Sequence, residues 1–501
     1  MRNNENVRVK LERHLWPDEI EAKREKRDKK LRKLFVIFSV LAAFSLGFVF
    51  GFGNSGKVDI SSDINSDSAN EKLNDILNIM SNKWYFSKDD SDIVNHVMDR
   101  AYYGMTNDSE VDPHTTYMSS EEIKQFTQSI NMNFVGIGVQ FVNTNDYAIV
   151  KKVYKHSPAE EFGVLAGDII YKVDGVEVKG KSSDEIVDLV QGVSGSKVTI
   201  EFIRQGEPVT IDIVRAEINA TTYGEMISED IGYLELYQFG NSTSNEVYDY
   251  LTMMSEQGLR KIIIDLRDNG GGYLDSLEHI LNYLLPANTV IMQQEYGNGT
   301  IDLSKTTKGE FKNIEEIVVL INENTASASE VMTLALKEQR DGVTIVGTTS
   351  YGKGTVQVTK SFSDGSAIKY TTSKWLSPSG VWVNNVGIKP DIVVELPTAI
   401  TTAYGSIEDG LTLDVDSVSD NIKTVQLGLE FLGYKIDRTD GYFNQVTKNA
   451  IRNFQKDHDL EETGILDSNV FEAIYSAVSL EWSMNKARDT QYQKALELLN
   501  E

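Results

Sequence analysis

Twenty consecutive residues without a charge, 34–53, constrain this 501-residue chain more than any other feature. The run LFVIFSVLAAFSLGFVFGFG is long enough for one membrane-spanning helix. The basic stretch KREKRDKKLRK stands directly before it, and Lys and Arg beside a span favour the cytoplasmic side. The sequence therefore predicts a cytoplasmic tail at 1–33, a transmembrane helix at 34–53 and extracytoplasmic domains beyond. A buried core helix and a cleaved signal peptide are the alternatives.

The chain is strongly acidic outside that basic tail. Its formal net charge is −26, although residues 1–33 hold twelve Lys or Arg against seven Asp or Glu. Phosphate repels such a surface, which argues against nucleic acid as a partner. The absence of cysteine excludes disulfides, thiolate catalysis and cysteine-based zinc sites. The six histidines form no metal-binding spacing, so we expect no metal and no cofactor.

Composition and periodicity divide the first half of the chain beyond the span into three parts. Residues 54–70 are rich in Ser, Asp and Asn and are predicted to be a linker. Apolar residues at helical spacings then predict a helical segment over 71–121. Short β-rich runs that alternate with turns follow over 122–218.

The second half begins with alternating strands and helices over 219–397, a pattern typical of an α/β core. A second linker is predicted at 398–414, three short helices at 415–475, and a final helix at 476–501. The predicted fold class is therefore multidomain: a transmembrane helix, a helical segment, a β-rich domain with helices, an α/β core and a small three-helix C-terminal domain.

The β-rich part at 122–218 resembles a PDZ domain. Its stretch SPAEEFGVLAGDIIYKVDG carries most of the resemblance. PDZ domains bind an extended peptide tail by strand addition and hold its carboxylate on loop amides. The resemblance implies a site for exposed, apolar protein C-termini, and the alternative is a β-rich domain whose glycines serve only turns. The residues similar to the carboxylate-binding loop are Phe134, Val135, Gly136, Ile137 and Gly138.

Residues 415–475 resemble the bacterial peptidoglycan-binding-like domain. Most positions that carry this resemblance lie in the core or in turns, so it implies a fold more directly than a ligand. Peptidoglycan is the candidate partner, and a spacer role is the alternative. The matching residues are Val425, Leu429, Leu432, Gly433, Tyr434, Asp440, Gly441, Phe443, Thr447, Ala450, Phe454, Gln455, Thr463 and Gly464.

Two short stretches within 219–397 suggest nucleophilic catalysis. Ser327 stands at the start of the predicted helix SASEVMTLALKEQ, where open amides and the helix dipole favour negative charge. Lys353 stands between two glycines after an apolar strand, where burial would keep its amine neutral. A neutral lysine can replace histidine as the base that activates a serine. Gln357 lies four residues on, facing the same side of an extended run.

A serine nucleophile also needs donors for the oxyanion that forms on the substrate. The amide of Ala328, at the start of the same helix, is one candidate. The glycine turn in DLRDNGGG supplies the other, at Gly271. Ser329 is the alternative nucleophile, and we otherwise expect it to cap the helix beside Glu330.

The motifs TASASE, GKGTVQ and DLRDNGGG together resemble those of the C-terminal processing peptidases, also called tail-specific proteases. The resemblance covers roughly residues 70–397 and implies a serine endopeptidase that cuts proteins near their C-terminal tails. It implies Ser327 as nucleophile, Lys353 as base and Gln357 as the supporting residue. The oxyanion donors are then the glycine turn and the residue after the serine.

The chain departs from the family's pattern in three places. Glycine follows Asn269 where the family commonly has proline, and the interval from serine to lysine is one residue longer. Gln191 stands where many members carry an arginine linked to activation. The departure at Gln191 bears on basal activity more than on the chemistry.

Two other functions remain open at the level of sequence. A catalytically silent scaffold with PDZ and wall-binding modules is one, although the intact serine, lysine and glutamine argue against it. A wall-lytic enzyme is the other, and it lacks the zinc ligands, catalytic cysteine or paired carboxylates expected there. The helical segments at 71–120 and 476–501 are candidates for homodimer contacts.

Overall fold

The computed structural model describes residues 66–107, 111–132, 134–143, 148–218, 221–402, 405–408 and 410–501. The predicted tail at 1–33 and the predicted transmembrane helix at 34–53 lie outside the described residues. Within the described ranges, no helix combines the length and the apolar character needed to cross a membrane.

The N-terminal helical part begins earlier than the sequence predicted. Helix α1 starts inside the predicted linker at 54–70, because the polar residues ahead of Leu73 continue the same helix. Helix α3 starts at a capping box, in which Ser119 and Glu122 each bond the other's backbone amide. The elements are α1 (Ser66–Asn82), a 3-10 helix (Tyr85–Asp89), α2 (Ile93–Thr106), β1 (Thr116–Met118) and α3 (Ser120–Asn131).

The PDZ-like part is an antiparallel sheet with two helices. Its strands are β2 (Phe134–Gly136), β3 (Val139–Asn143), β4 (Ala148–Val153), β5 (Ile169–Val173), β6 (Val176–Glu177), β7 (Lys197–Arg204), β8 (Glu207–Val214) and β9 (Ala216–Ile218). Its helices are α4 (Pro158–Glu161) and α5 (Ser183–Val190). The main sheet has the order β3-β4-β5-β7-β8, and β2 pairs with β9. The predicted boundary at 122 falls inside α3, so the strands of this unit begin at β2.

The core contains a six-stranded sheet of order β10-β11-β12-β15-β16-β19, in which only the β10–β11 pair is antiparallel. Parallel strands need crossovers, and helices supply them between β11 and β12 and between β15 and β16. The strands are β10 (Thr222–Met226), β11 (Ile231–Leu236), β12 (Lys261–Asp265), β15 (Glu316–Ile321), β16 (Val343–Gly347) and β19 (Ile392–Val393). The helices are α6 (Thr243–Glu256), α7 (Leu274–Leu284) and α8 (Ala328–Gln339).

A second sheet in the core brings distant segments together. Its order is β1-β18-β13-β14, and β17 pairs with β18. The strands are β13 (Val290–Tyr296), β14 (Ile301–Lys305), β17 (Thr355–Ser361) and β18 (Ala367–Leu376). Because β1 pairs with β18 at residues 367–369, the segment around residues 112–118 is held beside the strand that carries Gln357.

The C-terminal part consists of α9 (Thr398–Thr401), α10 (Asp420–Phe431), α11 (Gln445–Asp457), α12 (Ser468–Met484), a 3-10 helix (Lys486–Arg488) and α13 (Thr490–Asn500). The prediction of one final helix over 476–501 is wrong. Helix α12 crosses residue 475 and ends at Met484, and a new helix begins after Asp489. The carboxylate of Asp489 accepts a hydrogen bond from the Tyr492 amide at 3.0 Å, which caps the new helix.

Each of the last two long helices contacts a different domain. The hydroxyl of Ser476, on α12, donates to the carbonyl of Gly167, and Tyr475 packs against Ile149 and Ile169 of the PDZ-like part. Helix α13 instead covers one face of the six-stranded sheet with Tyr492, Ala495 and Leu499, while α6, α7 and α8 cover the other.

The contact between Gly167 and Ser476 can be tested with two matched glycines. Both Gly163 and Gly167 have positive φ, at 78° and 90°. A Cβ on Gly167 would lie 2.3 Å from the Ser476 carbonyl oxygen, whereas a Cβ on Gly163 meets nothing within 4 Å. We expect Gly163→Ala to cost about 1–2 kcal/mol in the free energy of unfolding. Gly167→Ala should cost at least about 1 kcal/mol more, because it adds a clash.

Chemical denaturation of the two purified variants measures the difference between them. Equal losses would contradict the packed contact between the PDZ-like part and α12.

Candidate active site

Ser327 occupies a strained position between β15 and α8. Its backbone has φ 56° and ψ −119°, a region that costs a residue with a side chain about 1–3 kcal/mol. Its amide donates to Oε2 of Glu330 at 2.8 Å, and its side chain is 3% exposed. Ala328 is the first residue of α8, one residue after the predicted start at Ser327, and helix amides there have no partner within the helix.

The two glycines around Lys353 are required by close packing. A Cβ on Gly352 would lie 2.6 Å from the amide nitrogen of Gly387, and one on Gly354 would lie 2.4 Å from the indole nitrogen of Trp382. Lys353 itself is 1% exposed, and its carbonyl accepts a hydrogen bond from the Trp375 indole at 2.7 Å. The burial that the sequence predicted for Lys353 is therefore present.

The buried carboxylate of Glu330 joins the segments that carry the serine and the lysine. Its Oε2 accepts hydrogen bonds from the amides of Ser327, at 2.8 Å, and Lys353, at 2.9 Å. Its Oε1 accepts from the Gly352 amide at 2.7 Å and from the Ser350 hydroxyl at 2.6 Å. One oxygen atom thus fixes the backbones of both candidate catalytic residues.

The electrostatic environment of Lys353 favours a neutral amine. Burial, followed by the positive charge of Lys369, holds the pKa of Lys353 well below its usual value. The charges of Glu330 and Asp112 act in the opposite direction but do not outweigh those two causes. Burial also lowers the pKa of Lys369 to about 8, and burial together with Lys353 lowers the pKa of His114 to about 3.

Gln357 is fully buried near the start of β17, after a β-bulge at residues 356–357. Its amide nitrogen donates to the hydroxyls of Thr355 at 2.8 Å and Thr371 at 3.0 Å. Its amide oxygen is buried and accepts no hydrogen bond within the described part of the chain. The sequence predicted that Gln357 would hold the lysine; here its nitrogen is fixed by two threonines and its oxygen is available to a donor.

The glycine turn packs directly against the serine. A Cβ on Gly271, whose φ is 107°, would lie 2.8 Å from the Ser327 Cβ and 3.0 Å from the Ala328 nitrogen. The sequence predicted an open amide at Gly271, but this amide donates to Oδ1 of Asn269 at 2.9 Å. The side chain of Asn269 can fold back because the turn around it is tight, an arrangement typical of Asn in turns.

Ser329 has a different role from the one that the sequence predicted. It lies inside the first turn of α8 and does not cap the helix, because Ser327 holds the capping position. The Ser329 hydroxyl donates to the carbonyl of Asn269 at 2.9 Å and is fully buried. It therefore fastens the glycine turn to α8.

Several residues of the site were missed from the sequence. Glu330 lies three residues after Ser327, which is the spacing of a capping box. Its contact with the Ser327 amide could therefore have been predicted from the sequence. Its second contact, with the lysine segment, could not. Lys369 left a weaker signal, because it occupies an inward position of the alternating strand β18.

The five residues similar to the PDZ carboxylate-binding loop, 134–138, lie partly in a strand and partly in a turn. Phe134, Val135 and Gly136 form β2, which pairs with β9, where the sequence predicted a loop. Ile137 is buried, and its carbonyl accepts from the Ala159 amide at 2.7 Å. Gly138 has φ 83° and leads into β3.

No group of three or more metal-ligating side chains is present among the described residues.

Comparisons with known proteins identify the three units. Residues 230–394 match peptidase family S41, residues 149–204 match a PDZ domain and residues 418–474 match a peptidoglycan binding domain. The carboxy-terminal processing protease CtpA of Bacillus subtilis (strain 168) is 34% identical over 473 residues, which cover 94% of this chain and 99% of that protein. The chain belongs to the S41 family of peptidases.

A second curated relative agrees with this assignment. A CtpA-like serine protease of Staphylococcus aureus (strain N315) is 36% identical over 402 residues, which cover 80% of this chain and 79% of that protein. The solved structure of a photosystem II D1 C-terminal processing protease is 24% identical, with a TM-score of 0.42, over 65% of this chain and 86% of that chain. The predicted family of serine peptidase, with its PDZ and peptidoglycan-binding domains, is confirmed.

The bridging role of Glu330 predicts a large effect of one isosteric change. Glu330→Gln would point an NH2 group at two of the four donors that the carboxylate now accepts, and buried donors without a partner are costly. We expect the free energy of unfolding to fall by about 2–4 kcal/mol. Glu338→Gln on the same helix is the control, because Glu338 accepts one bond, from Ser379, in a partly exposed place. Urea denaturation compares the free energies of unfolding of Glu330→Gln and Glu338→Gln. Similar values would refute the bridging role of Glu330.

Proposed function

We propose that this chain is a membrane-anchored, extracytoplasmic endopeptidase that cleaves proteins near their C-terminal tails, with Ser327 as nucleophile and Lys353 as general base. The observation that carries the assignment is the shared oxygen of Glu330, which binds the backbone amides of both residues. The lowered pKa of Lys353 supports it further, since only an unprotonated amine can accept the serine proton.

The proposed reaction runs in two halves. Lys353 Nζ takes the proton of the Ser327 hydroxyl as its oxygen attacks the scissile carbonyl carbon, and the carbonyl oxygen becomes an oxyanion. The C–N bond then breaks, and the leaving amine takes the proton from Lys353. In the second half Lys353 accepts a proton from water, which attacks the acyl ester. Collapse releases the new carboxylic acid and returns the proton to Ser327.

Two groups support this chemistry. The amide of Ala328 at the start of α8 donates to the oxyanion, and the turn at Gly271 supplies the second donor once its amide leaves the Asn269 side chain. The amide oxygen of Gln357 accepts a hydrogen bond from the Lys353 ammonium while the proton rests there. An uncharged acceptor orients the amine without raising its pKa as a carboxylate would.

The PDZ domain receives the substrate tail at the edge of its sheet. Strand β3 pairs with β4 alone among the described strands, so its other edge is open to an added strand. Helix α5 lies alongside: Asn143 at the end of β3 bonds the Lys181 carbonyl just before α5, and Gly136 lies near Gln191 just after it. The turn at Ile137 and Gly138 closes the groove where the terminal carboxylate binds.

Residues 34–53 anchor the chain, and the basic residues before them keep the N-terminus in the cytoplasm. The support is the uncharged run of twenty residues and its basic flank. The C-terminal domain binds peptidoglycan and so holds the peptidase near the wall, in keeping with the family that it matches. Helix α1 offers a surface to a second copy, since Leu73, Ile76 and Ile79 are each more than 40% exposed.

Substitutions at the two catalytic positions test the assignment. Ser327→Ala should abolish cleavage of an unfolded protein, and Lys353→Arg should do the same, because a guanidinium stays protonated. Ser329→Ala should retain measurable turnover, although it loses the hydrogen bond to the Asn269 carbonyl, because the nucleophile and the base remain. The wild-type rate should rise with pH through the lowered pKa of Lys353. Cleavage is followed by steady-state assay, and an active Lys353→Arg enzyme would rule out the lysine base.

The second test concerns the C-terminal tail of the substrate. Peptides that end in a free carboxylate after an apolar residue should be cut faster than the same peptides amidated at the C-terminus, because the PDZ groove binds the carboxylate. The ratio of kcat/KM values measures the preference. Equal values for the two forms would remove the PDZ domain from substrate selection.

A further inference from the structure

Arg267 lies between the core sheet and the glycine turn, two residues after the end of β12. Its guanidinium binds Asp265 through Nε at 2.9 Å and Nη2 at 2.6 Å. On its other side it binds Asp489 through Nη1 at 3.0 Å and Nη2 at 2.8 Å. Two carboxylates separated by 224 positions in the sequence thus share one guanidinium.

This triad is buried and charged. Asp265 and Asp489 are each 2% exposed, and the side chain of Arg267 is 10% exposed. Burial is the largest influence on the pKa of Asp265 and raises it, but the charge and hydrogen bonds of Arg267 together with the charge of Lys486 outweigh burial and keep that pKa below its usual value. Removal of one partner from such a group leaves a buried charge uncompensated, which is strongly destabilising.

Asp489 also fixes the start of α13. It caps the helix, and the next two residues bond the segment after β19: Thr490 donates to the Glu395 carbonyl at 2.7 Å and Gln491 to the Val394 carbonyl at 2.8 Å. The amide oxygen of Gln491 accepts from Arg267 at 3.1 Å.

The turn that follows Arg267 reaches the serine within four residues. The Asp268 amide donates to the Asn322 side chain at 2.9 Å, and the Asn269 carbonyl accepts from the Ala326 amide at 3.0 Å. Gly271 then packs on Ser327. Arg267 therefore stands where the glycine turn begins and is bound there by Asp265 and Asp489.

We propose that Asp489 and Arg267 are positioning residues, through which the C-terminal helix α13 sets the glycine turn against Ser327. The proposal rests on the proposed role of Ser327. It gives residues 489–501 a part in turnover as well as in folding. Misplacement of an active-site element by about 1 Å can cost a hundredfold in rate.

Asp489→Asn tests this with the helix cap preserved, because Asn caps helices as well as Asp. Asp489→Ser is a second capping variant in case the first does not fold. In the full-length protein we expect kcat to fall by about tenfold to a hundredfold, with KM for a short peptide unchanged. Thr490→Ala is the control, since Thr490 anchors the same helix start and does not contact Arg267.

Circular dichroism at the assay temperature establishes that each variant is folded, and Ser327→Ala is assayed in parallel. A wild-type kcat in folded Asp489→Asn or Asp489→Ser overturns the proposal, as does an equal loss of kcat in Thr490→Ala. Residual activity of Ser327→Ala would instead refute the proposed nucleophile, so the two failures are distinct.

Discussion

The contact on which the site depends is the buried carboxylate of Glu330. Four donors from two separate segments converge on it, and two of them are the amides of Ser327 and Lys353. Burial raises the pKa of this carboxyl, and the donors act against that rise. The strained backbone of Ser327 costs free energy. The close packing of Gly352 and Gly354 restricts the loop in a similar way. The shared carboxylate stabilises both, which explains why the two motifs occur together.

The environment of Lys353 is completed by a segment far away in the sequence. Asp112 accepts a hydrogen bond from the Thr115 hydroxyl, and the oxygen of that hydroxyl accepts a hydrogen bond from the Thr371 amide. The Thr371 hydroxyl in turn accepts a hydrogen bond from the Gln357 side chain. The same segment brings Asp112 near Lys353, while Lys369 adds a positive charge nearby. The N-terminal helical part is therefore a wall of the candidate active site, and its Asp112 acts against the burial and the Lys369 charge that lower the pKa of Lys353.

What the sequence predicted correctly was local, and what it missed was long-range. Ser327 at the mouth of a helix and Lys353 between glycines follow from short patterns that one turn or one loop encodes. The contact of Arg267 with Asp489 joins residues 222 positions apart, and no periodic pattern in the sequence predicts it. The predicted single helix at 476–501 failed for a related reason. Helix α12 ends at Met484, and Asp489 follows a short 3-10 helix and caps α13, where it is buried against Arg267.

The contacts of α12 and α13 have unequal strengths, and this bears on the proposed part of the PDZ domain in substrate selection. Between α12 and the PDZ domain lie a hydrogen bond from Ser476 and the packing of Tyr475, and one such bond contributes about 1 kcal/mol. Between α13 and the core lie a buried ion triad, whose disruption costs about 3–5 kcal/mol, and an apolar helix face. A displaced PDZ domain would therefore separate from α12 before α13 left the core. Under the proposed function, a PDZ domain displaced in this way would change access to Ser327 while the contacts of Arg267 with Asp265 and Asp489 stay formed.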